Sequence, residues 1–250
     1  MNPISRPPGA SPKRLFLYGL GALLLLLAWD FSGLDLPMAR WFGSASGFAL
    51  EANWFWRDLL HVPMRNLGWA LELSLLVGMF RPFGVLKALP AARRAQLALT
   101  PLVALLVVSE IKLHSHTSCP WDLKEFGGMA TYISHWAWGV KDGGSGGCFP
   151  AGHASTGFAF VGGFFAFRLA RPVLARRWLV VALTVGLGLG LAQQVRGAHY
   201  MSHTLWTACL CWVCAAVVDA GVSWWIARKP SRAQAPVPDF EAPKPALPPT

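Results

Sequence analysis

Six apolar runs recur along the chain, at about 15 to 31, 66 to 80, 96 to 111, 154 to 170, 178 to 195 and 203 to 227. Each approaches the roughly 20 residues that an α-helix needs to cross the hydrocarbon of a bilayer. Inside hydrocarbon every backbone N–H and C=O must be satisfied within the protein, so runs of this kind form helices. The expected fold is therefore all-α, a six-transmembrane-helix bundle. The second and fourth runs are the shortest and contain Glu72 or glycines. The chain is 54% hydrophobic and only 14% charged, against roughly 25% charged in a soluble domain, which excludes an ordinary soluble globular protein.

A net charge of +10 could point to nucleic acid, but the distribution of the charge argues for a membrane instead. Of the 22 Lys and Arg residues, 15 fall in four places: the N-terminal tail (Arg6, Lys13, Arg14), the loop from Arg81 to Arg94, the loop from Arg168 to Arg177, and the C-terminal tail. All four lie on one side of a six-span bundle. The positive-inside rule makes that side cytoplasmic, with both termini on it. No nucleic-acid partner is expected; membrane lipids are.

The first run follows Lys13 and Arg14 like a signal peptide, but "LLLLLAWDFSG" has no small-x-small cleavage site, and it reads as an uncleaved anchor. From Pro230 the chain is rich in Pro and Ala without periodicity, as in a disordered tail. The expected organisation is a cytoplasmic tail over 1–14, a membrane domain over 15–229 and a disordered cytoplasmic tail over 230–250.

All 7 histidines, His61, His114, His116, His135, His153, His199 and His203, lie in or beside the extracytoplasmic loops of this topology. Ionisable groups at membrane depth are expensive and usually functional. Three stretches carry most of them: "EIKLHSHTSCPWD" (110–122) at the exit of the third span, "CFPAGHASTGF" (148–158) at the entry to the fourth, and "QQVRGAHYMSH" (193–203) between the fifth and sixth. The topology brings Lys112, His153, Arg196, His199 and His203 to one rim. Pro150 suits the first turn of a helix because it needs no amide hydrogen. Ala151 and Gly152 would leave the next amides uncrowded beside His153, an arrangement that attracts phosphate. With Lys112 and Arg196 nearby, the pocket suits a dianion.

Two imidazoles near a phosphate suggest covalent phosphoryl transfer, one attacking phosphorus and the other protonating the departing alkoxide. Cations would hold the equatorial oxygens. The scheme requires neither metal nor cofactor.

The pattern resembles the type 2 phosphatidic acid phosphatase superfamily, whose motifs are K-x6-R-P, P-S-G-H and S-R-x5-H-x3-D. Lys112 followed after six residues by Cys119 and Pro120 matches the first, "PAGH" (150–153) the second, and "GAHYMSH" (197–203) the end of the third, over about residues 96 to 215. The resemblance implies that His199 is the nucleophile and His153 the general acid, with Lys112 and the Gly152 amide on the phosphate. It also implies a lipid phosphate substrate. The chain departs from the family at Cys119 (Arg in the family), Ala151 (Ser), Gln193 (Arg) and His203 (Asp). His203 lies four residues after His199 on the same helical face and is expected to orient its ring. Arg196 is expected to restore one guanidinium at the phosphate.

Cys119 and Cys148 border two of the motifs, on the oxidising side of the topology. They stand either to form a disulfide, which would stabilise by roughly 3 to 4 kcal/mol, or to remain free thiols. Cys209, Cys211 and Cys214 read as small buried hydrophobes.

Three other readings of these residues stay open. The His199/His203 spacing is also that of a metal-binding pair, without the Glu of a metalloprotease. Paired histidines could bind haem in a non-enzymatic membrane protein, although here they lie at loop boundaries. A thiol oxidoreductase would need a close cysteine pair.

The remaining features read as structural. His61, His114, His116 and His135 are expected to be interfacial, and Asp219 to pair with a basic group. Gly186 and Gly190 are spaced for close helix packing. Trp54, Trp56, Trp136 and Trp138 suit an interfacial belt, and the loop from Trp121 to Gly147 is expected to cover the pocket.

Overall fold

A computed structural model describes residues 12–57 and 62–229. His61 and the tails 1–11 and 230–250 lie outside the described residues.

The apolar runs become helices. These are α1 (Pro12–Phe31), α3 (Val62–Phe80), α4 (Ala91–Leu113), α7 (Pro172–Val195) and α8 (Met201–Arg228), with a short α2 (Asp35–Arg40) after the first. Five segments are long and apolar enough to cross a membrane: Lys13–Phe31, Pro63–Ala88, Ala91–Leu113, Pro172–Val195 and Met201–Arg228. They make this a multi-pass membrane protein. Large side chains such as Leu24, Leu25, Val180 and Val217 point outward and stay exposed, as a lipid-facing surface requires.

The fourth run differs from expectation. It forms a shorter apolar helix, Ser155–Phe167, built from α5 (Ser155–Phe158), a 3-10 turn (Ala159–Val161) and α6 (Gly162–Phe167). Nearly every side chain in it is buried. It forms the centre of the bundle, packed among α3, α4, α7 and α8. Its composition explains the fit. A Cβ on Gly157 would lie 2.3 Å from the backbone of Gly186, and a Cβ on Gly186 would lie 2.3 Å from the Phe158 ring. Two helices can therefore touch backbone to backbone where Gly186 was expected to permit close packing.

One end of the bundle carries an ion cluster. Asp219 of α8 accepts from Arg93 and Arg168, each at 2.7 Å, and from Gln96 Nε2 at 3.0 Å. The basic partner expected for Asp219 is thus a pair of arginines from α4 and the end of α6.

At the other end, α2, a two-stranded antiparallel hairpin of β1 (Gly43–Ser44) and β2 (Gly47–Phe48), and the segment 120–130 form a cap. Phe48, Leu123, Phe126, Ala130 and Tyr200 make a small apolar core beneath it. Trp54 and Trp138 are exposed near this end, and Trp136 donates from Nε1 to Asp30 at 2.6 Å.

Candidate active site

The three histidine-bearing stretches converge at the capped end. Lys112 stands in the last turn of α4. The segment 146–148 is laced beside it: Gly147 N–H donates to Ser115 C=O at 2.8 Å and Cys148 N–H to Thr117 C=O at 2.9 Å. Cys119 and Cys148 are joined as a disulfide with Cα atoms 5.2 Å apart, clamping the segment after α4 to the segment before α5.

Residues 150–154 do not form the helix start expected from Pro150. The Phe149–Pro150 peptide is cis, and helix α5 begins at Ser155. The Ala151 amide is consumed by the His203 carbonyl at 3.3 Å, so it is not available to an anion. The Gly152 amide makes no hydrogen bond within the described residues. The Lys112 stem lies against Gly152, with Cδ 3.8 Å from where a Cβ would stand.

His199 is positioned by the turn between α7 and α8. Gly197 adopts φ +77, its N–H donating to Gln194 C=O at 3.0 Å, while Ala198 N–H reaches Gln193 C=O at 2.9 Å. This glycine-terminated turn stops α7. A Cβ on Gly197 would also meet the Phe48 ring at 2.4 Å. Asp35 then caps α8, accepting from Ser202 N–H at 3.0 Å and from the Ser202 hydroxyl. His199 is left between these supports with 2% of its surface exposed.

The His153 and His199 rings lie 5.9 Å apart between centroids, close enough for both imidazoles to reach one phosphoryl group. His199 Nδ1 sits 3.4 Å from Cys148 Sγ. Burial pushes the His199 pKa well below its ordinary value, and Lys112, His203 and His153 add to the effect. A backbone hydrogen bond with Cys148 pulls the other way. The ring is therefore neutral at pH 7, as a nucleophile must be.

Two expected roles need correction. The His203 ring does not bond to His199: its Nδ1 lies 3.1 Å from the Cys148 carbonyl, and the two ring centroids are 6.1 Å apart. His203 holds Cys148, and Cys148 in turn contacts His199, so any orienting effect passes through the cystine residue. Arg196, expected at the phosphate, is engaged with the cap instead. Its Nε donates to Glu51 C=O at 3.0 Å, its NH1 to Gln193 Oε1 at 3.1 Å, and its guanidinium lies over Trp121. The turn at Gly197 redirects the chain and separates Arg196 from His199.

His135, expected at the interface, also belongs to the cluster. Its Nε2 is 3.3 Å from Asp30, with 6% and 3% of the two side chains exposed. The ring stacks on Phe149 at 4.3 Å and meets His203 edge-on at 5.6 Å. Burial holds its pKa low, against the pull of Asp30 and Asp35. His114 and His116 are exposed, and His114 Nδ1 lies 2.9 Å from the Glu110 carbonyl oxygen.

A cavity of about 280 Å³ opens beside the site, between α3, α4 and α5, and Lys112, Gly152 and His153 line one end of it. Arg65 and Glu72 of α3 line it too. Neither was anticipated, because nothing in the sequence states which face of α3 meets α4. The ligand atoms of Cys119, Cys148 and His199 lie within 4.8 Å of one another, but cystine sulfurs carry no thiolate charge to offer an ion.

The fold and the site define a class: a multi-pass helical membrane protein with paired imidazoles, a lysine and an open amide at one end of the bundle. The model of the PAP2 superfamily, the type 2 phosphatidic acid phosphatases, matches residues 94–227, and the chain belongs to that family. Its members are phosphatases and phosphoesterases, which makes this chain a phosphoric ester hydrolase in general type. No curated protein and no solved structure matches the chain.

Proposed function

We propose that the protein releases or transfers a phosphate from a lipid phosphate or diphosphate, through a phosphohistidine on His199, at the outer leaflet of a cytoplasmic membrane. The observation that carries this reading is the pair of imidazoles, His153 and His199, 5.9 Å apart beside Lys112 and Gly152.

With His199 Nδ1 turned toward Cys148, Nε2 is the nitrogen left to attack phosphorus. The P–O bond to the lipid breaks as the N–P bond forms. His153 donates its proton to the leaving alkoxide. Water, or another lipid hydroxyl, then attacks the phosphohistidine and His153 takes the proton back. Lys112, the Gly152 amide and Arg65 hold the equatorial oxygens, where cations and preorganised donors stabilise the developing charge. Arg65 supplies the guanidinium that Cys119 and Gln193 do not.

The outer-leaflet placement is supported by the clustering of basic loops at the Asp219 end, opposite the site, and by the cystine beside His199. In this reading Ser155–Phe167 completes a six-span passage with both termini cytoplasmic. Its short length suits a helix held wholly within protein.

The test is phosphate release from a panel of lipid phosphates by purified protein, with and without chelator, followed by acid-labile phosphohistidine trapping. We expect activity without added metal and a phosphoryl group on His199. A phosphoryl group mapped to His153, or no release from any lipid phosphate, overturns the assignment.

A further inference from the structure

Among the described residues, Glu72 is a carboxyl with no hydrogen-bond partner on either oxygen. It lies mid-way along the apolar helix α3 and is 2% exposed. It lines the same cavity as Lys112, Gly152 and His153. An ionisable group at membrane depth is expensive to keep and usually serves a function, and a buried acceptor left unmade costs free energy in every state that lacks a donor.

The geometry fixes where that donor must come from. Arg65, Gly68, Trp69 and Glu72 all line the cavity, and their spacing of three, four and seven residues places them on one face of α3. Seven residues of helix span roughly 10 Å. α3 and α4 run antiparallel, with Arg94 Nε on the Met79 carbonyl, so descending from Arg65 to Glu72 is descending away from Lys112. Between the two levels the wall is mostly apolar, formed by Trp69, Leu105, Val108, Ala159 and Phe160, with Ser109, Ser155 and Thr156 also lining the cavity and the Thr156 methyl set against Gly68. The cavity thus has a cationic end, a mostly apolar middle and the Glu72 carboxyl at its far end.

Resting on the reading of this site as a lipid phosphatase, we propose that Glu72 selects the lipid. The preferred substrate carries a hydroxyl or amide N–H donor roughly 10 Å below its phosphate, which hydrogen-bonds to Glu72. A plain polyisoprenyl or saturated chain offers only C–H there and leaves Glu72 unsatisfied. Sites built to hydrogen-bond a substrate group reject the analogue that lacks it.

The experiment uses long-chain alkyl monophosphates of one length, plain or carrying a single hydroxyl at successive positions, with full-length protein in detergent. The readout is the ratio of kcat/KM for hydroxylated over plain substrate, taken within each variant so that a general loss of activity cancels. We expect wild type to favour one hydroxyl position by about tenfold or more. Glu72→Leu should flatten the ratio to near one, and Glu72→Gln, which keeps an acceptor oxygen, should retain a preference at the same position. A flat ratio in wild type, or an equal preference in Glu72→Leu, overturns the proposal while leaving the phosphatase reading intact. Absence of phosphate release from every member would instead sink the phosphatase reading itself.

Discussion

The roles proposed for His199 and His153 differ because their surroundings differ. His199 is enclosed and held neutral by burial and neighbouring cations, whereas His153 lines the open cavity. Replacing His199 by Ala should lower phosphate release by at least about a thousandfold while leaving the melting profile of the purified protein near that of wild type.

The depressed pKa has a consequence for pH. His199 stays neutral well below pH 6.5, so, if it is the attacking group as proposed, the acid limb of the kcat/KM profile should not fall at the ordinary histidine value on its account. Stability follows the opposite sense. The unfolded chain takes up protons near 6.5 at His199 and His135, while the folded chain resists them. Stability is therefore full above that value and declines as pH drops below it; thermal melts at pH 7.5 and pH 5.5 measure the decline.

Which residues could be read from the sequence follows from how they are placed. His153, His199 and Lys112 sit within short motifs at helix ends, where chain order alone brings them to one rim. Glu72, Arg65 and Asp30 could not be read, because their role depends on the rotation of α3 and α1 about their own axes, which six featureless apolar runs do not encode. Arg196 departs from expectation because nearness in sequence says nothing about direction across a left-handed turn.

At the level of elements, the turn at Gly197 and the cap at Asp35 together set the start of α8. Alanine at Gly197 would force both an unfavourable positive φ and an overlap with Phe48. The expected result is a loss of about 1 to 3 kcal/mol together with reduced kcat, read by thermal melting and by phosphate release. Asp35→Ala removes the acceptor from the Ser202 amide and hydroxyl and should cost about 1 kcal/mol, a milder effect in the same two assays. The central helix shows where reading by run length fails. Its apolar run is real, but glycines and phenylalanines pack it inside the bundle, so its ends answer to neighbouring helices and not to bilayer thickness.

For the whole molecule, the two ends of the bundle are held by different means. At one end Asp219 bridges Arg93 and Arg168, one carboxylate between two guanidiniums, in a buried cluster. Asp219→Ala leaves two guanidiniums facing each other without a counter-charge and should destabilise by about 3 to 5 kcal/mol. Heat-induced aggregation in detergent should then begin at a markedly lower temperature. At the other end the cystine between Cys119 and Cys148 ties two loops that carry neighbouring parts of the site. That linkage has a temporal meaning. A chain whose Cys119 and Cys148 are still thiols has these two loops unfastened. The covalent frame of this end is therefore complete only after oxidation, a step that follows synthesis of the chain.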